Sequence, residues 1–280
     1  MTHTSESGAM GHSRAAPWQL DMFRKGLKKS LRLKYLRKLL GRIDHGERCL
    51  LVTCGDNNGA MNYLLRQTGG SWAWADLEDT CLDEMSQLLG EPVVQVQEDK
   101  LPYADASFDR IVTIDVHEHV EDPTTIQAEI CRCLKPAGQL IVTTPNGDER
   151  KLAVRIKNAV GMSKEAYGHQ RIGLTAAEIE SLMTGQGIKP ATTLTFSRLF
   201  TELLELTINF AYTKILARKQ SDDDEHPEIA PATSSQLQSV SKSYRIYSMI
   251  FPVYWLISKL DWLLFFTEGY CVMVEGRQRS

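Results

Sequence analysis

Two short polar segments carry the residues best suited to move a proton. Asp115, Glu118 and His119 occur at i, i+3 and i+4, a spacing that places the three side chains on one face if the segment is helical. Histidine changes its protonation state near neutral pH, so His117, His119 and His169 are candidate acids or bases. The alternative for His169 is a structural ring bonded to a backbone carbonyl, and for His119 a role in orienting its loop.

A glycine-containing loop precedes these segments in the chain. The apolar run that starts at Cys49 ends in Thr53-Cys-Gly-Asp-Asn-Asn-Gly59, and helix-forming residues follow at once. Gly55 and Gly59 allow the backbone to approach a ligand closely. A buried parallel strand passes into a helix in this way at a nucleotide-binding loop. The alternative is a tight turn that serves packing alone.

Further strand patterns follow the loop. The segment 71–76 reads as a second strand that ends in Asp76, roughly 20 residues after the loop, where an α/β fold hydrogen-bonds ribose hydroxyls. Thr175 and Glu178 form a capping-box pattern that predicts the start of a helix. Alternating strands and helices predict a doubly wound parallel sheet with its ligand crevice at the carboxyl ends of the strands. The remaining predicted strands are 93–99, 110–115, 139–145, 188–196 and 269–275.

Taken in order, these motifs resemble those of the class I S-adenosylmethionine-dependent methyltransferases, of the type 11 kind. The resemblance covers about residues 48 to 196. It implies a Rossmann-like, seven-stranded sheet of order 3-2-1-4-5-7-6. The motifs that carry it are Cys54-Gly55, Asp76, Leu101-Pro-Tyr with Ser107-Phe-Asp109, Glu118-His119-Val120 and Leu134-Lys-Pro-Ala-Gly138.

The resemblance implies S-adenosylmethionine as the cofactor. Cys54 and Gly55 would approach its methionine portion, Asp76 would bind the ribose, and the turn 97–99 would flank the adenine. The full set of implied cofactor-binding residues is Thr53, Cys54, Gly55, Asp56, Asp76, Leu77, Glu98, Asp99 and Asp115.

The loop departs from the family pattern Asp-x-Gly-x-Gly-x-Gly at three positions. Leu51 stands at the acidic position, Thr53 at the first glycine and Asn57 at the third. These departures support a rival interpretation, in which the chain is a non-catalytic, membrane-associated scaffold of methyltransferase type. That interpretation predicts no binding of S-adenosylmethionine.

Two further resemblances concern the histidines. Asp115, Glu118 and His119 form an Asp-x-x-Glu-His segment similar to the Glu-x-x-Glu-His of quinone-biosynthesis O-methyltransferases, which implies a divalent cation such as Mg²⁺ held by these three residues. Glu-His-Val also occurs in methyltransferases that use no metal, so the metal hypothesis has an alternative. His169 lies in a Gly-His-x-Arg segment similar to one at the mouth of the family's substrate pocket.

Composition bounds the possible functions. The chain has 280 residues, 42% of them hydrophobic, and can bury one sizeable core with an appendage. A net charge of −3 argues against a polyanion-binding protein. Six cysteines without a Cys-x-x-Cys pair favour reduced core thiols in a cytoplasmic protein. Residues 1–21 lack the apolar stretch of a signal peptide and are predicted to be disordered.

A basic segment precedes the first strand. Residues 22–43 carry nine Lys and Arg residues and no acid, and the segment 22–47 is predicted to be an amphipathic helix or helix pair. The helix could pack beside the first strand, or it could attract anionic lipid headgroups at about 1 kcal/mol per basic residue. No aromatic stacking platform is interleaved with the charges, so nucleic acid is not expected as a partner.

A long insertion separates the last two predicted strands. The methyltransferase domain is expected to comprise residues 48–197 and 267–280, with a helical, apolar insertion at 198–266. Its acidic stretch, 220–239, is predicted to be a disordered loop. The aromatic stretch 244–266 contains no uncharged run of the roughly 20 residues that span a bilayer. It suits a membrane interface, and its alternatives are a lid over the pocket or a dimer contact.

The sequence therefore predicts an enzyme that transfers a methyl group to a hydrophobic, membrane-derived acceptor, lipid or quinone-like, at oxygen. Such a protein would be cytoplasmic and peripheral on the inner face of the membrane. Its basic and aromatic segments would lie side by side against an anionic leaflet. The alternative is a soluble methyltransferase of a small molecule, with the insertion as a lid.

Overall fold

The computed structural model describes residues 17–55, 57–161, 169–217, 234–239 and 241–279. Strands and helices alternate through most of the chain. In chain order the elements are α1 Trp18–Arg24, α2 Leu27–Leu40, β1 Ile43–Thr53, α3 Ala60–Arg66, β2 Gly69–Asp76, α4 Leu82–Leu89, β3 Val94–Gln95, β4 Phe108–Ile114, α5 Pro123–Cys133, β5 Leu134–Pro145, α6 Leu152–Ala159, α7 Ala176–Gly185, β6 Ile188–Phe196, α8 Leu199–Ala217, α9 Ser234–Ser239, α10 Ser241–Ser258, a 3-10 helix Lys259–Leu264 and β7 Cys271–Gln278.

The strands form one seven-stranded sheet of order β3-β2-β1-β4-β5-β7-β6. Strands β1 to β5 pair in parallel, and β7 runs antiparallel between β5 and β6. The predicted fold class and strand order are confirmed. Strand β3 pairs over only two residues, so the predicted strand 93–99 is mostly a turn.

Helices cover both faces of the sheet, which explains the continuous apolar runs in its central strands. Alternate residues of β1 point to opposite faces: Leu51 packs into a core beneath α1 to α4, whereas Leu50 and Val52 pack beneath α5 and α7. All six cysteines are buried and free, as predicted.

The N-terminal prediction is wrong in its boundaries. Helix α1 begins at Trp18, inside the stretch predicted to be disordered, because Leu20 and Phe23 bury against the sheet. The basic segment 22–47, predicted to be a helix or a helix pair, is a pair of helices that ends at Leu40, where Gly41 adopts a φ of 61°. Strand β1 starts at Ile43, five residues before the predicted domain boundary at 48.

The basic helix packs on the sheet, in line with one of its two predicted roles. Leu33, Leu36 and Leu40 of α2 are buried. Several of its cations are turned toward protein partners and not toward solvent: Arg32 binds Asp115, and Lys28 binds Glu202.

The insertion is helical, as predicted, and joins β6 to β7. The predicted acidic loop 220–239 is wrong at its end, because Ser234–Ser239 form α9; residues 220–233 lie outside the described part of the chain. Helix α8 packs against α2, α6 and α10. Of the helices that the structure describes, none combines the length and apolarity required to cross a bilayer.

Candidate cofactor and acceptor site

The loop after β1 is built around the carboxylate that ends β2. Thr53 and Asp76 are paired residues of adjacent parallel strands. The Asp76 carboxylate accepts hydrogen bonds from the Thr53 hydroxyl at 2.5 Å and the Gly55 amide at 2.8 Å. Gly55 adopts a φ of 66°, which a side chain would strain. The predicted Asp56 lies outside the described residues.

The two polar residues at family glycine positions hold the loop together. The Asn57 amide donates to the Thr53 hydroxyl oxygen at 3.2 Å and to Asn62 Oδ1 at 2.8 Å. Its own Oδ1 accepts from the Gly59 amide at 3.0 Å. Thr53 and Asn57 therefore replace glycine flexibility with a hydrogen-bonded turn, and the strand-to-helix geometry is retained.

A cavity of about 650 Å³ opens at the carboxyl ends of β1 to β4. This volume lies within the roughly 300–1,000 Å³ of ordinary small-molecule sites. Of the predicted cofactor residues, Cys54, Leu77 and Glu98 line it, whereas Asp99 is exposed and does not. The lining residues are Cys54, Leu77, Glu78, Gln95, Val96, Gln97, Glu98, Lys100, Pro102, His119 and Val120.

Glu78 is a site residue that the sequence analysis missed. The predicted ribose ligand, Asp76, is 1% exposed and already accepts a third hydrogen bond, from the Glu78 amide at 2.9 Å. Burial raises the pKa of Asp76. The Glu78 carboxylate instead lines the cavity and lies directly over Gly55, where an added Cβ would come within 2.4 Å of Glu78 Oε2. The signal in the sequence was a second acid two positions after Asp76.

The segment after β4 is a series of turns, so the helical spacing assumed for Asp115, Glu118 and His119 does not exist. Asp115 has a φ of 50°, and its carboxylate accepts two hydrogen bonds from the Arg32 guanidinium, at 2.6 and 2.8 Å. A guanidinium therefore occupies the side of Asp115 that a cation would use. The predicted divalent metal does not fit this arrangement.

Glu118 is fully buried behind Asp115. Neither of its carboxyl oxygens has a hydrogen-bond partner among the described residues. Burial, reinforced by the Asp115 carboxylate, raises the pKa of Glu118 well above its usual range. A carboxyl group whose pKa is raised in this way is a poor ligand for a cation.

A different trio brings possible metal ligands together. Ligand atoms of Cys54, Glu78 and His119 lie within 4.8 Å of one another. All three residues line the cavity, where a cation would compete with a bound cofactor. Burial also raises the pKa of the Cys54 thiol, and the protonated thiol coordinates metals weakly.

Of the three predicted histidines, His119 and His169 contact each other, whereas His117 lies elsewhere. The rings of His119 and His169 meet edge to face with centroids 4.4 Å apart, and His119 lines the cavity. Burial, with a contribution from His119, lowers the pKa of His169 to about 4, so its ring is neutral at physiological pH. His117 is buried against α5, where its Nε2 lies 3.0 Å from Gln127 Oε1. It does not line the cavity, which favours a structural role.

Comparison with known proteins identifies the domain that carries this site. Residues 50–142 match the model of a family described as a methyltransferase domain. The chain carries a class I S-adenosylmethionine-dependent methyltransferase domain. The matched part of this methyltransferase domain runs from β1 into β5 and contains the loop, the cavity and the Asp115 turn, whereas the helical insertion lies outside it.

Curated relatives of the methyltransferase domain share its central part. The chain is 32% identical over 121 residues to the ubiquinone biosynthesis O-methyltransferase of Xanthomonas oryzae pv. oryzae (strain PXO99A), which covers 41% of this chain and 49% of the relative. It is 33% identical over 138 residues to the protein of the same name from Xylella fastidiosa (strain M23), covering 47% and 53%. The chain thus spans about half the length of the curated relatives it matches.

Solved structures resemble the methyltransferase domain in fold. Phosphoethanolamine N-methyltransferase 2 of Haemonchus contortus superposes with a TM-score of 0.55 at 16% identity, covering 90% of this chain and 53% of that one. Geranyl diphosphate C-methyltransferase from Streptomyces coelicolor A3(2) gives 0.52 at 13% identity, covering 89% and 76%. At these identities the likeness concerns the fold alone.

Proposed function

We propose that this protein transfers the methyl group of S-adenosylmethionine to an oxygen atom of a hydrophobic acceptor, lipid or quinone-like. The observation that carries the proposal is the cavity lined by Cys54 of the glycine loop, by Glu78 and by His119, whose ring contacts His169. The names of the curated relatives, which act in ubiquinone biosynthesis as O-methyltransferases, support an oxygen acceptor.

The donor would be held by the loop and the two strand-end acids. Gly55 lets the backbone come close to the methionine portion, as the sequence analysis expected. Glu78, which faces the cavity, would accept hydrogen bonds from the ribose hydroxyls, whereas Asp76 would hold the loop from beneath through Thr53 and Gly55. Gln97 and Glu98 line the cavity wall where the adenine is expected.

The chemistry requires alignment and one proton acceptor. A lone pair of the acceptor oxygen attacks the sulfonium methyl carbon, the carbon–sulfur bond breaks, and S-adenosylhomocysteine leaves as a neutral thioether. The hydroxyl proton passes to a base, which we assign to the His119–His169 pair. Of the two rings, His119 lines the cavity and would take the proton, whereas the pKa of about 4 makes His169 a weak base that would orient His119 through their ring contact.

Donor binding is tested with a matched pair of glycine variants. Gly55→Ala should weaken S-adenosylmethionine binding at least about tenfold, because the new methyl group meets Glu78 at 2.4 Å and displaces the carboxylate. Gly90→Ala is the control: its φ of 68° imposes similar backbone strain, but nothing lies within 4 Å of the added Cβ. Calorimetric titration of both variants gives the comparison, and equal affinities would contradict the assignment of the loop.

Methyl transfer is tested with labelled S-adenosylmethionine and a membrane lipid extract as acceptor. His119→Ala should lower the turnover rate by about 10²–10⁴, because it removes the proton acceptor that lines the cavity. Labelled product should partition into the organic phase, as expected for a hydrophobic acceptor. A wild-type protein that binds no S-adenosylmethionine would favour the non-catalytic scaffold. Labelled product from aqueous metabolites alone would favour the small-molecule enzyme with a lid.

A further inference from the structure

Helix α10 presents two chemically different faces. One face carries Tyr244, Tyr247, Phe251 and Tyr254, all partly buried against the protein. The Tyr244 hydroxyl donates to Asp21 at 2.8 Å and accepts from Lys25 Nζ at 3.3 Å, and the Tyr247 hydroxyl donates to the Lys25 carbonyl. The polar tips of these tyrosines thus fasten α10 to α1.

The opposite face is purely apolar and exposed. Ile246, Met249, Val253 and Leu256 follow at helical spacing, and Met249 is 76% exposed. The 3-10 helix and the residues after it continue the surface with Trp262, Phe265 and Phe266, the first 76% exposed and the last 74%. We call these seven residues the outer face. An apolar surface this continuous marks an interaction site, whereas scattered apolar residues are ordinary.

Charge within residues 241–266 is mainly positive, and the exposed acid Glu268 follows two residues after the outer face. The single acid of residues 241–266, all of which are described, is Asp261. Its carboxylate points inward and accepts hydrogen bonds from the backbone amides of Arg198 and Phe200 at the start of α8, each at 2.8 Å. The cations Lys242, Arg245 and Lys259 are exposed, and Lys259 Nζ lies 4.3 Å from the Trp255 ring.

These observations point to one occupant. The exposed aliphatic side chains suit the acyl-chain layer of an anionic bilayer, and Trp262 suits its interface. The exposed cations Lys242, Arg245 and Lys259 suit its anionic headgroups. No described helix could cross that bilayer, so the surface would lie in its plane. We propose that the outer face docks on the surface of an anionic phospholipid bilayer.

Docking at this position would explain how a lipid-soluble acceptor reaches the enzyme. That explanation rests on the proposed function, which identifies the acceptor. Helix α10 and the 3-10 helix pack on α8, and α8 packs on α2, whose Arg32 binds Asp115 beside the candidate site. A protein seated on its outer face would therefore hold that side of the methyltransferase domain against the membrane. A lipid-soluble acceptor could then reach the site without crossing water.

The experiment uses full-length protein and vesicles of phosphatidylcholine with phosphatidylglycerol. Wild-type protein should co-sediment with these vesicles, less so at high salt, and its tryptophan emission should shift to the blue as Trp262 enters the interface. The double variant Val253→Glu/Leu256→Glu should lower the vesicle partition coefficient at least about tenfold, because two charges enter the outer face. Its melting temperature should not fall, since both side chains are exposed.

Leu152→Glu/Val160→Glu is the matched control, with the same pair of exchanges at exposed positions in and after α6. It should bind vesicles as the wild type does. Wild-type protein that ignores anionic vesicles, or a Val253→Glu/Leu256→Glu variant that binds them unchanged, would overturn the proposal. So would a wild-type dimer that this variant dissociates, because a second copy would then cover the outer face.

Calorimetry in vesicle-free buffer separates this proposal from the proposed function. The Val253→Glu/Leu256→Glu variant should bind S-adenosylmethionine with wild-type affinity. Vesicle binding by a protein that fails to bind S-adenosylmethionine would leave the docking surface standing and refute the enzymatic role. Tight S-adenosylmethionine binding without vesicle binding would do the reverse.

Discussion

Arg32 and Asp115 form a two-pronged ion pair beside the candidate site. Arg32 is 7% exposed, and the Asp115 carboxylate next to it raises the pKa of the guanidinium, so that the charge persists despite burial. Asp115 also lies close to the buried Glu118, and burial together with the Asp115 carboxylate raises the pKa of Glu118. A single arginine from α2 thus supplies the positive charge at this turn and places the N-terminal helices next to the site.

A double-mutant cycle measures the interaction free energy between Arg32 and Asp115. Asp115→Asn tolerates the positive φ but leaves Arg32 as an unpaired buried charge, so we expect a loss of about 3 kcal/mol in the free energy of unfolding. Arg32→Met should also destabilise the fold, and the double variant should lose less than the sum of the two losses. Urea denaturation provides the values.

Adding magnesium tests whether Asp115 can bind a metal cation in place of Arg32. Because the guanidinium occupies the site, added Mg²⁺ should leave the melting temperature of the wild type unchanged. If the losses in unfolding free energy of the two single variants add up in the double variant, Arg32 and Asp115 do not interact. A rise in melting temperature on adding Mg²⁺ would likewise contradict the pairing of Arg32 with Asp115.

At the scale of elements, Glu202 ties together three helices that belong to different parts of the chain. Its buried carboxylate in α8 binds Lys28 of α2 at 3.0 Å and also Lys157 of α6. Burial alone would raise the pKa of Glu202, but the two lysines outweigh it and hold the pKa at about 2. The insertion is therefore fastened to the sheet domain by charge as well as by apolar packing.

Two substitutions in α8 test how much the ion pairs of Glu202 with Lys28 and Lys157 stabilise the fold. Glu202→Gln should cost about 3 kcal/mol of unfolding free energy, because two partly buried lysines lose their anion. Glu205→Gln is the control: burial raises the pKa of Glu205, so its negative charge contributes less. Since the folded pKa of Glu202 is depressed, its contribution is complete above about 4.5 and is lost as pH falls toward about 2. Equal losses for both variants at pH 7 would contradict the ionic account.

For the molecule as a whole, stability should fall in mild acid. Burial lowers the pKa of His117 to about 4 from an ordinary value of 6.5. Between these two pH values the unfolded chain therefore binds a proton at His117, whereas the folded protein does not. Stability from this group is therefore present above pH 6.5 and declines as pH falls toward 4, by at most about 1.4 kcal/mol per pH unit.

The measurement is urea denaturation at a series of pH values. His117→Gln should reduce the acid-side slope by about one proton, and His45→Gln, at an exposed position of β1, should leave it unchanged. A slope that His117→Gln does not alter would mean that other groups account for the acid sensitivity.

Local features of this protein were readable from the sequence. The Thr175–Glu178 capping box forms as predicted, the strand 188–196 has the predicted ends, and the insertion joins β6 to β7. Capping, turn chemistry and apolar periodicity act between neighbours in the chain, so a single segment contains the information needed to recognise them.

Tertiary structure decided the partners of the charged and exposed residues. Arg32 meets Asp115 across 83 positions and Lys28 meets Glu202 across 174, distances over which no local pattern operates. For the same reason the turn at Asp115 could not be predicted. The spacing of Asp115, Glu118 and His119 suits a helix, but the Asp115 carboxylate binds Arg32 of α2. The outer face of α10 could not be predicted either, since the tyrosine side and the aliphatic side are both apolar in sequence. Packing against α8 and the bonds of the tyrosine hydroxyls to Asp21 and Lys25 determine which side is buried, because burial depends on what surrounds a helix as well as on its own residues.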